Sequence, residues 1–414
     1  MSASLVRPAH RHRLRDVPSC ESLTILHVSQ PVDGGVAQVV ADLARGQVGD
    51  GHEVVVACPC PEGGRLSRDA GAGGARIAPW GADRAPGPGL PHEVTELRRI
   101  LAETRPDLVH LHSSKAGLAG RLAIRGRIAT VFQPHAWSFE AVGGPSARMI
   151  ERWERWATRW SDRLVCVSAA ERARGQAAGL GGRWALVPNG VDLDRFDPAR
   201  LLPRPKARAS LGLSQHAPLA VCVGRLCRQK GQDLLLRAWG EVLAELPHAR
   251  LALVGDGPDR GALEEQAAAL PVPESVVFAG RVDDPRPWYA AGDLMVLPSR
   301  WEGMALSPLE AMACGRPVVL TDVAGARECL GDQQFPVPVG DTRTLATSLM
   351  RLLADQELCA ELGRRSRVRT MERHDLRATR MLMAQTYDAV IQSRRIPAPA
   401  APVATNDHRA GKSD

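Results

Sequence analysis

Lysine is scarce in this chain: of the 53 lysines and arginines in 414 residues, only Lys115, Lys206, Lys230 and Lys412 are lysine. A lysine inside an ordered stretch therefore invites the question of what it is for. Two Tyr and five Phe leave few rings for bases to stack on, and the arginines are dispersed, so nucleic acid is excluded as the partner behind the net charge of +7. That charge suits nucleotide phosphates or acidic lipids instead. No apolar run approaches the ~20 residues that a membrane-spanning helix needs. The nine cysteines form no CxxC pair; Cys58 and Cys60 flank a proline and Cys222 and Cys227 lie five apart, neither being zinc or disulfide spacing. Reduced, mostly buried thiols are expected. There is no GxxxxGK[ST] loop, which counts against a nucleoside triphosphatase. The turn LVGDGPDRGAL spaces Gly255, Gly257 and Gly261 unlike GxGxxG, and no such turn follows the first strand, which counts against a dehydrogenase.

What is present is an ordinary globular composition, 44% hydrophobic and 24% charged, in a chain long enough for two domains. Residues 1–21 lack the apolar stretch of a secretory signal and read as a loose extension of a cytoplasmic protein; residues 395–414 read as a disordered tail. From Ser22, SLTILHVSQPVDGGVAQVVADLARGQVGDGHEVVVACP alternates an apolar strand, a Gly loop, an amphipathic helix and a second apolar strand, which is a βαβ unit. Further strands are expected at 108–111, 129–132, 163–167 and 184–187. Near-continuous apolar strands belong in a parallel sheet covered on both faces. After a Pro- and Arg-rich linker at 199–217 the pattern restarts with PLAVCVGRL, ARLALVGDG, SVVFAGRV, DLMVLPS and RPVVLTD. The expected fold is thus α/β, two doubly wound domains, 22–198 and 218–371, facing a cleft, with a last helix at 372–394 that could return to the first. A ligand belongs in the cleft, at the carboxyl ends of the strands.

Three motifs carry chemistry. In VGRLCRQKGQDLLLRAW, Gly224, Arg225 and Lys230 stand between a strand and its helix, a setting that suits a diphosphate: a planar fork, a mobile point charge and a helix dipole. A solvated basic loop is the plainer alternative. In WEGMALSPLEAMACGRPVV, Glu302 and Glu310 are separated by seven residues. Glu302 falls on the loop after a strand, and the amides of Gly303, Met304, Ala305 and Leu306 approach a helix start, an anion site. Glu310 could hold a vicinal diol such as a ribose, or could close a capping box with Ser307 and Pro308. Asp192 and Asp194 form an Asp-x-Asp able in principle to hold a divalent metal, but they sit in a turn entering the linker, and the two cations could neutralise a diphosphate alone.

These residues resemble retaining glycosyltransferases of the two-Rossmann-domain (GT-B) architecture, in the family 4, group 1 set that carries two glutamates seven residues apart. EGMALSPLEAMACGRPVV, VGRLCRQKG, VPNGVDLDRFDP, VFAGRV and HLHSSKAGLAGRLA match that group's blocks in order over residues 22 to 390. The resemblance implies a nucleoside-diphosphate sugar donor, with UDP favoured and GDP the second choice. It implies that Glu302 holds donor-sugar hydroxyls, Glu310 the ribose, and Arg225 and Lys230 the diphosphate, assisted by the amides of Met304 to Leu306. Gly34 and Gly35 match the glycines that approach the diphosphate, and Gly224, Arg281 and Val282 join the donor site. His135 in QPHAWSF matches the histidine beside the reacting centre. Met304 departs from the aromatic often found there, and Gln133-Pro134 replaces a Thr-x-His pattern. In similar enzymes a phosphate oxygen takes the proton from the incoming hydroxyl, which leaves no dedicated general base to assign. No metal and no other cofactor is expected.

The acceptor, a lipid-linked glycan or a small molecule, should meet the first domain. Ser113, Ser114 and Lys115 end a strand beside the cleft, and a phosphate-bearing acceptor would suit Lys115. In SARMIERWERWATRW, residues 146–160, Arg148, Arg152, Arg155 and Arg159 form one helical stripe beside Met149, Trp153, Trp156 and Trp160. That pattern suits the headgroups of an acidic membrane at the inner face of the cell membrane; the alternative, favoured on the sequence, is tryptophans packed on the sheet with the arginines solvated. Two other readings stand beside the transferase, a sugar-nucleotide epimerase and a non-catalytic sugar-nucleotide-binding subunit.

Overall fold

The computed structural model describes residues 22–61, 64–333 and 335–395, so the extension at 1–21 and the tail from 396 lie outside the described residues. Seven parallel strands build the first sheet: β1 (Thr24–Ser29), β2 (Glu53–Cys58), β3 (Arg76–Pro79), β4 (Leu108–His112), β5 (Ala129–Gln133), β6 (Arg163–Cys166) and β7 (Trp184–Leu186). Their order is β3-β2-β1-β4-β5-β6-β7. Five more build the second: β8 (Leu219–Val223), β9 (Arg250–Val254), β10 (Val276–Gly280), β11 (Leu294–Leu297) and β12 (Val318–Leu320), in the order β10-β9-β8-β11-β12. In each sheet the order reverses next to the first strand, between β1 and β4 and between β8 and β11. Loops leaving such a pair diverge and open a crevice at the carboxyl ends.

The apolar runs explain these elements. Val54, Val55 and Val56 of β2 are buried, and the helix Gly34–Gly49 lays Ala37, Val40, Ala41 and Ala44 against Val54 and Val56. Its opposite side sends Val39 and Leu43 into the main core with Ile25 and Val131. A fully buried Val or Leu contributes about 1.5–3 kcal/mol, so small residues on one face and branched ones on the other make this helix a two-sided filler.

Three features differ from the sequence reading. The edge strand β3 is passed over by a search for apolar runs, because its Arg76 and Pro79 are exposed. The expected linker at 199–217 instead holds the helix Arg204–Ser210, and Arg208 is fully buried. Its guanidinium donates to the carbonyls of Ser214, Gln215, Ala217 and Ala291 and pairs with Asp293 at 3.1 Å, so this segment is built into the second domain. The returning helix starts at Leu376, after Val191 N donates to His374 O and Leu376 N to Val191 O. It runs to Arg395 across the first sheet, with Arg394 on Asp162 at 2.8 Å.

Candidate active site in the cleft

β8 ends at Val223, and the chain passes through Gly224 and Arg225 into a single turn, Arg228–Lys230, before the helix Gln232–Glu245. This delivers Lys230 to the end of β11, where Ser299 and Glu302 follow the strand. Lys230 Nζ lies 2.5 Å from Glu302 Oε1, and Ser299 Oγ donates to the same oxygen at 2.8 Å. Glu302 is only 7% exposed, so its charge depends on these two donors. Lys230 and Glu302, expected to hold different parts of a ligand, are thus paired with each other. Arg225 is half-buried, and no ion pair engages its guanidinium among the described residues.

The helix that follows is Leu306–Ala313, with Ala305 at its N-cap and no side-chain cap. Ser307 and Pro308 therefore lie inside the helix, and the capping-box alternative for Glu310 does not form. Instead Glu310 Oε2 accepts a hydrogen bond from Tyr289 Oη at 2.8 Å. Burial raises the Glu310 pKa, and the Tyr289 hydrogen bond opposes that rise. Tyr289 itself is buried and pushed well above the usual phenol range, so its hydroxyl stays protonated and donates. Tyr289 was not picked out in the sequence; its one signal there is scarcity, as one of two tyrosines.

From the first domain, the loop after β1 brings Asp33, Gly34 and Gly35 to the cleft. Gly34 has φ +79°, which favours glycine. A Cβ on Gly35 would stand 3.9 Å from Leu306 Cγ, and Arg281 pairs with Asp33 at 2.7 Å, so this loop faces the donor-side residues expected opposite it. Val282 lies half-buried next to Arg281 at this rim.

His135 follows β5 with φ +59°, and Ala136 has φ +153°, two non-glycine residues in strained backbone at the mouth of the cleft. A Cβ on Gly303 would come within 2.8 Å of His135 O and 2.9 Å of Glu171 Oε1, so only glycine lets the two loops approach. Asn189 Nδ2 fixes the same region by donating to Met304 O at 2.7 Å. Glu171, also missed in the sequence, is buried with its pKa pushed up to about 8 by desolvation. His135 is half-buried, its pKa lowered to about 3 by desolvation, and its Nε2 is 3.0 Å from His112 Nδ1.

A cleft cavity of about 850 Å³ is lined by Phe139, Glu140 and Arg174 of the first domain and Arg300, Trp301 and Glu302 of the second. A much smaller hollow of about 20 Å³ is lined by Glu302, Met304 and Ala305.

Other expectations change. Lys115 is buried and pairs with Glu93 at 2.7 Å while donating to Ala85 O, so it has no free charge for an acceptor phosphate. Ser113 and Ser114 remain half-buried at the end of β4, opening the helix Ser113–Ile124. Asp192 Oδ1 accepts from the amides of Asp194 and Arg195, and Asp194 pairs with Arg377, which spends both carboxylates on the turn. His27, His110 and His112 offer nitrogens within 4.8 Å of one another, close enough for a metal; the sequence reading contained no such cluster. Both nitrogens of His27 and of His112 are already hydrogen-bonded.

On the helix Gly144–Ala157 and the turn after it, Arg148, Arg152, Arg155 and Arg159 are exposed, as expected. The tryptophans do not all reach the core: Trp156 is 41% and Met149 67% exposed, and Trp156 packs edge-on against Trp160 at 4.2 Å.

Two family models match the chain, one described as glycosyl transferases group 1 over residues 217–355 and one as glycosyltransferase family 4 over residues 33–195. The chain is 32% identical over 296 residues to a GDP-mannose-dependent alpha-(1-6)-phosphatidylinositol monomannoside mannosyltransferase of Mycolicibacterium smegmatis, spanning 66% of this chain and 74% of that one. It is 29% identical over 273 residues to a UDP-Gal:alpha-D-GlcNAc-diphosphoundecaprenol alpha-1,3-galactosyltransferase of Escherichia coli, spanning 63% and 70%. Its fold is similar to that of HepE of Anabaena, solved with UDP and glucose, with a TM-score of 0.77 at 22% identity over 89% of this chain and 100% of the other.

Proposed function

Because the chain belongs to the group 1, family 4 glycosyltransferases of GT-B fold, we propose that it moves a hexosyl group from a nucleoside-diphosphate sugar to a hydroxyl acceptor, with retention of configuration and without a metal. The observation that carries this reading is the cluster of Lys230, Glu302 and Ser299 beside Arg225 at the carboxyl ends of β8 and β11. Arg225, Lys230 and the amides of Met304 to Leu306 would stabilise charge growing on the leaving phosphate, an interaction stronger in the transition state than in the ground state. Glu302 would hold hydroxyls of the sugar, Glu310 the ribose, and His135 the sugar from the opposite domain. A phosphate oxygen would accept the proton of the incoming hydroxyl on the same face. A UDP-sugar is favoured over a GDP-sugar; HepE binds UDP and the Escherichia coli relative is named for UDP-Gal, while the mycobacterial relative is named for GDP-mannose.

For the acceptor, a lipid-linked glycan in bacterial surface glycoconjugate assembly is the favoured reading, and the exposed Arg and Trp side chains of residues 146–160 support it. They sit beside the cleft, since Glu151 of the same helix lines its cavity. Among the described residues no helix is long and apolar enough to cross a membrane, so contact would be peripheral. Incubation with UDP- and GDP-hexoses, lipid-diphosphate acceptors and a chelator tests the whole reading. Transfer with the anomeric configuration of the donor, insensitive to chelation, is expected. Inversion or loss of transfer with chelator overturns the mechanism; isomerisation of the sugar nucleotide without acceptor supports the epimerase instead, and binding without turnover the non-catalytic subunit.

A further inference from the structure

Behind His135 a line of buried side chains runs through the first sheet. His27 of β1 is paired in register with His110 of β4, and His112 lies two residues on, so all three share one face, and none is exposed to solvent. His112 Nδ1 is 3.0 Å from His135 Nε2, and His112 Nε2 is 2.9 Å from His27 Nδ1. His27 Nε2 is 2.7 Å from Gln47 Oε1, and Gln47 Nε2 is 3.4 Å from Tyr387 Oη, which lies 2.6 Å from His110 Nδ1. Gln47 comes from the helix Gly34–Gly49 and Tyr387 from the returning helix, so two separate helices close the line.

Burial keeps these rings neutral: His27 falls to about 4, His135 to about 3, and His110 and His112 well below the usual imidazole range. A neutral imidazole has one N–H and one lone pair, so each link dictates the next. The direction is decided at His110. Two buried atoms there lack a partner of good geometry, His110 Nε2 and Gln133 Oε1, and the Gln133 side chain interacts with that ring. A proton on His110 Nε2 serves that oxygen and leaves Nδ1 to accept the Tyr387 hydroxyl proton. The Tyr387 oxygen then accepts from the Gln47 amide, and Gln47 Oε1 accepts from His27 Nε2–H. His27 Nδ1 must accept from His112 Nε2–H, and His112 Nδ1 from His135 Nε2–H.

We infer that this one-directional line fixes His135 in its Nε2–H tautomer, so that the ring presents the Nδ1 lone pair, which has no hydrogen-bond partner among the described residues, as an acceptor for a hydroxyl of the bound sugar. The identity of that ligand rests on the transferase reading; the tautomer does not. Gln47, His27, His112 and Tyr387 are positioning residues for His135. The arrangement makes His135 a recogniser of a hydroxyl hydrogen rather than a donor to phosphate oxygen.

The test is the long-range proton–nitrogen spectrum of the histidine rings in the full-length, nitrogen-15-labelled protein without nucleotide, assigned by single His→Gln variants. Expected are Nε2-protonated, Nδ1-bare rings for His27, His112 and His135. A proton on Nδ1 of His135 overturns the inference, as does one equivalent of zinc in the purified protein with metal-shifted nitrogens at His27, His110 and His112. In Gln47→Met the His135 Nδ1 resonance should move toward the protonated range, because His27 Nε2–H has lost its acceptor. In Gln47→Glu, which can only accept, it should stay. An unmoved resonance in Gln47→Met overturns the positioning role; should that variant not fold, the wild-type spectrum alone decides the tautomer. Failure to bind any sugar nucleotide would leave this spectrum unchanged, which separates the two readings.

Discussion

Replacing Lys230 with methionine keeps the length of the side chain and removes its charge, leaving Glu302 with one neutral donor, Ser299. Glu302 is 7% exposed, so the orphaned carboxylate cannot be rescued by bulk water. Breaking a buried pair from one side costs roughly 3–5 kcal/mol; because 18% of the Lys230 side chain is exposed, the lower end, about 3 kcal/mol, is the expected loss. At roughly 2–4 °C per kcal/mol this lowers the melting temperature by about 6–12 °C. Lys230→Met combined with Glu302→Gln removes both charges, and most of the stability should return. Nucleotide affinity should not return, since the diphosphate has lost a charge-assisted partner, a loss of about 1.5–3 kcal/mol or roughly 10- to 150-fold in Kd. Differential scanning calorimetry and nucleotide titration on the three variants measure both quantities. Recovery of nucleotide affinity alongside stability in the double variant would refute the reasoning and reduce the pair to a structural contact.

Tyr289→Phe keeps the buried ring but removes the hydrogen bond to Glu310; nucleotide Kd should rise about tenfold, about 1.4 kcal/mol, with a much smaller change in melting temperature. An unchanged Kd would separate Glu310 from the ribose. Lys115→Met should cost about 3–5 kcal/mol of stability by orphaning Glu93, yet leave KM for the acceptor unchanged; a selective rise in that KM would restore its acceptor role. Folding stability should peak near pH 6.5. Below it, unfolded histidines bind protons that His27 and His135 refuse until about 4 and 3, so stability is lost as pH falls from 6.5 toward those values, by about 3 kcal/mol for His27 alone. Above it, Glu171 keeps its proton to about 8 while its unfolded form has lost it from 4.5, so stability falls as pH rises over that range. Denaturant midpoints from pH 4 to 9 check the shape, and a flat profile would contradict the burial of these groups.

The two doubly wound domains were legible because their strands are continuous apolar runs, a signal that survives without any tertiary knowledge. Glu302 and Lys230 were legible because loop residues at strand ends are not needed for packing and stand out by type. Their mutual pairing was not, since it depends on how two loops 72 residues apart meet. Composition misled at 199–217, where a Pro- and Arg-rich stretch reads as a linker although Arg208 is buried and satisfies its charge internally. It misled again at Lys115, whose partner Glu93 lies on another helix. Beyond the His110-x-His112 alternation on β4, the line from Gln47 to His135 leaves no local pattern, because its members meet only through parallel register and the return of the last helix.

Calorimetric titration of the purified protein with UDP and with GDP, with and without chelator and repeated on Arg225→Ala, tests the central claim most directly. The account predicts chelator-insensitive binding of one nucleotide at a single site, weakened at least tenfold in Arg225→Ala, whose guanidinium is engaged by no ion pair among the described residues and whose loss should leave the fold intact. Binding that disappears with chelator, or that is untouched by the substitution, would contradict a metal-free diphosphate site at the ends of β8 and β11.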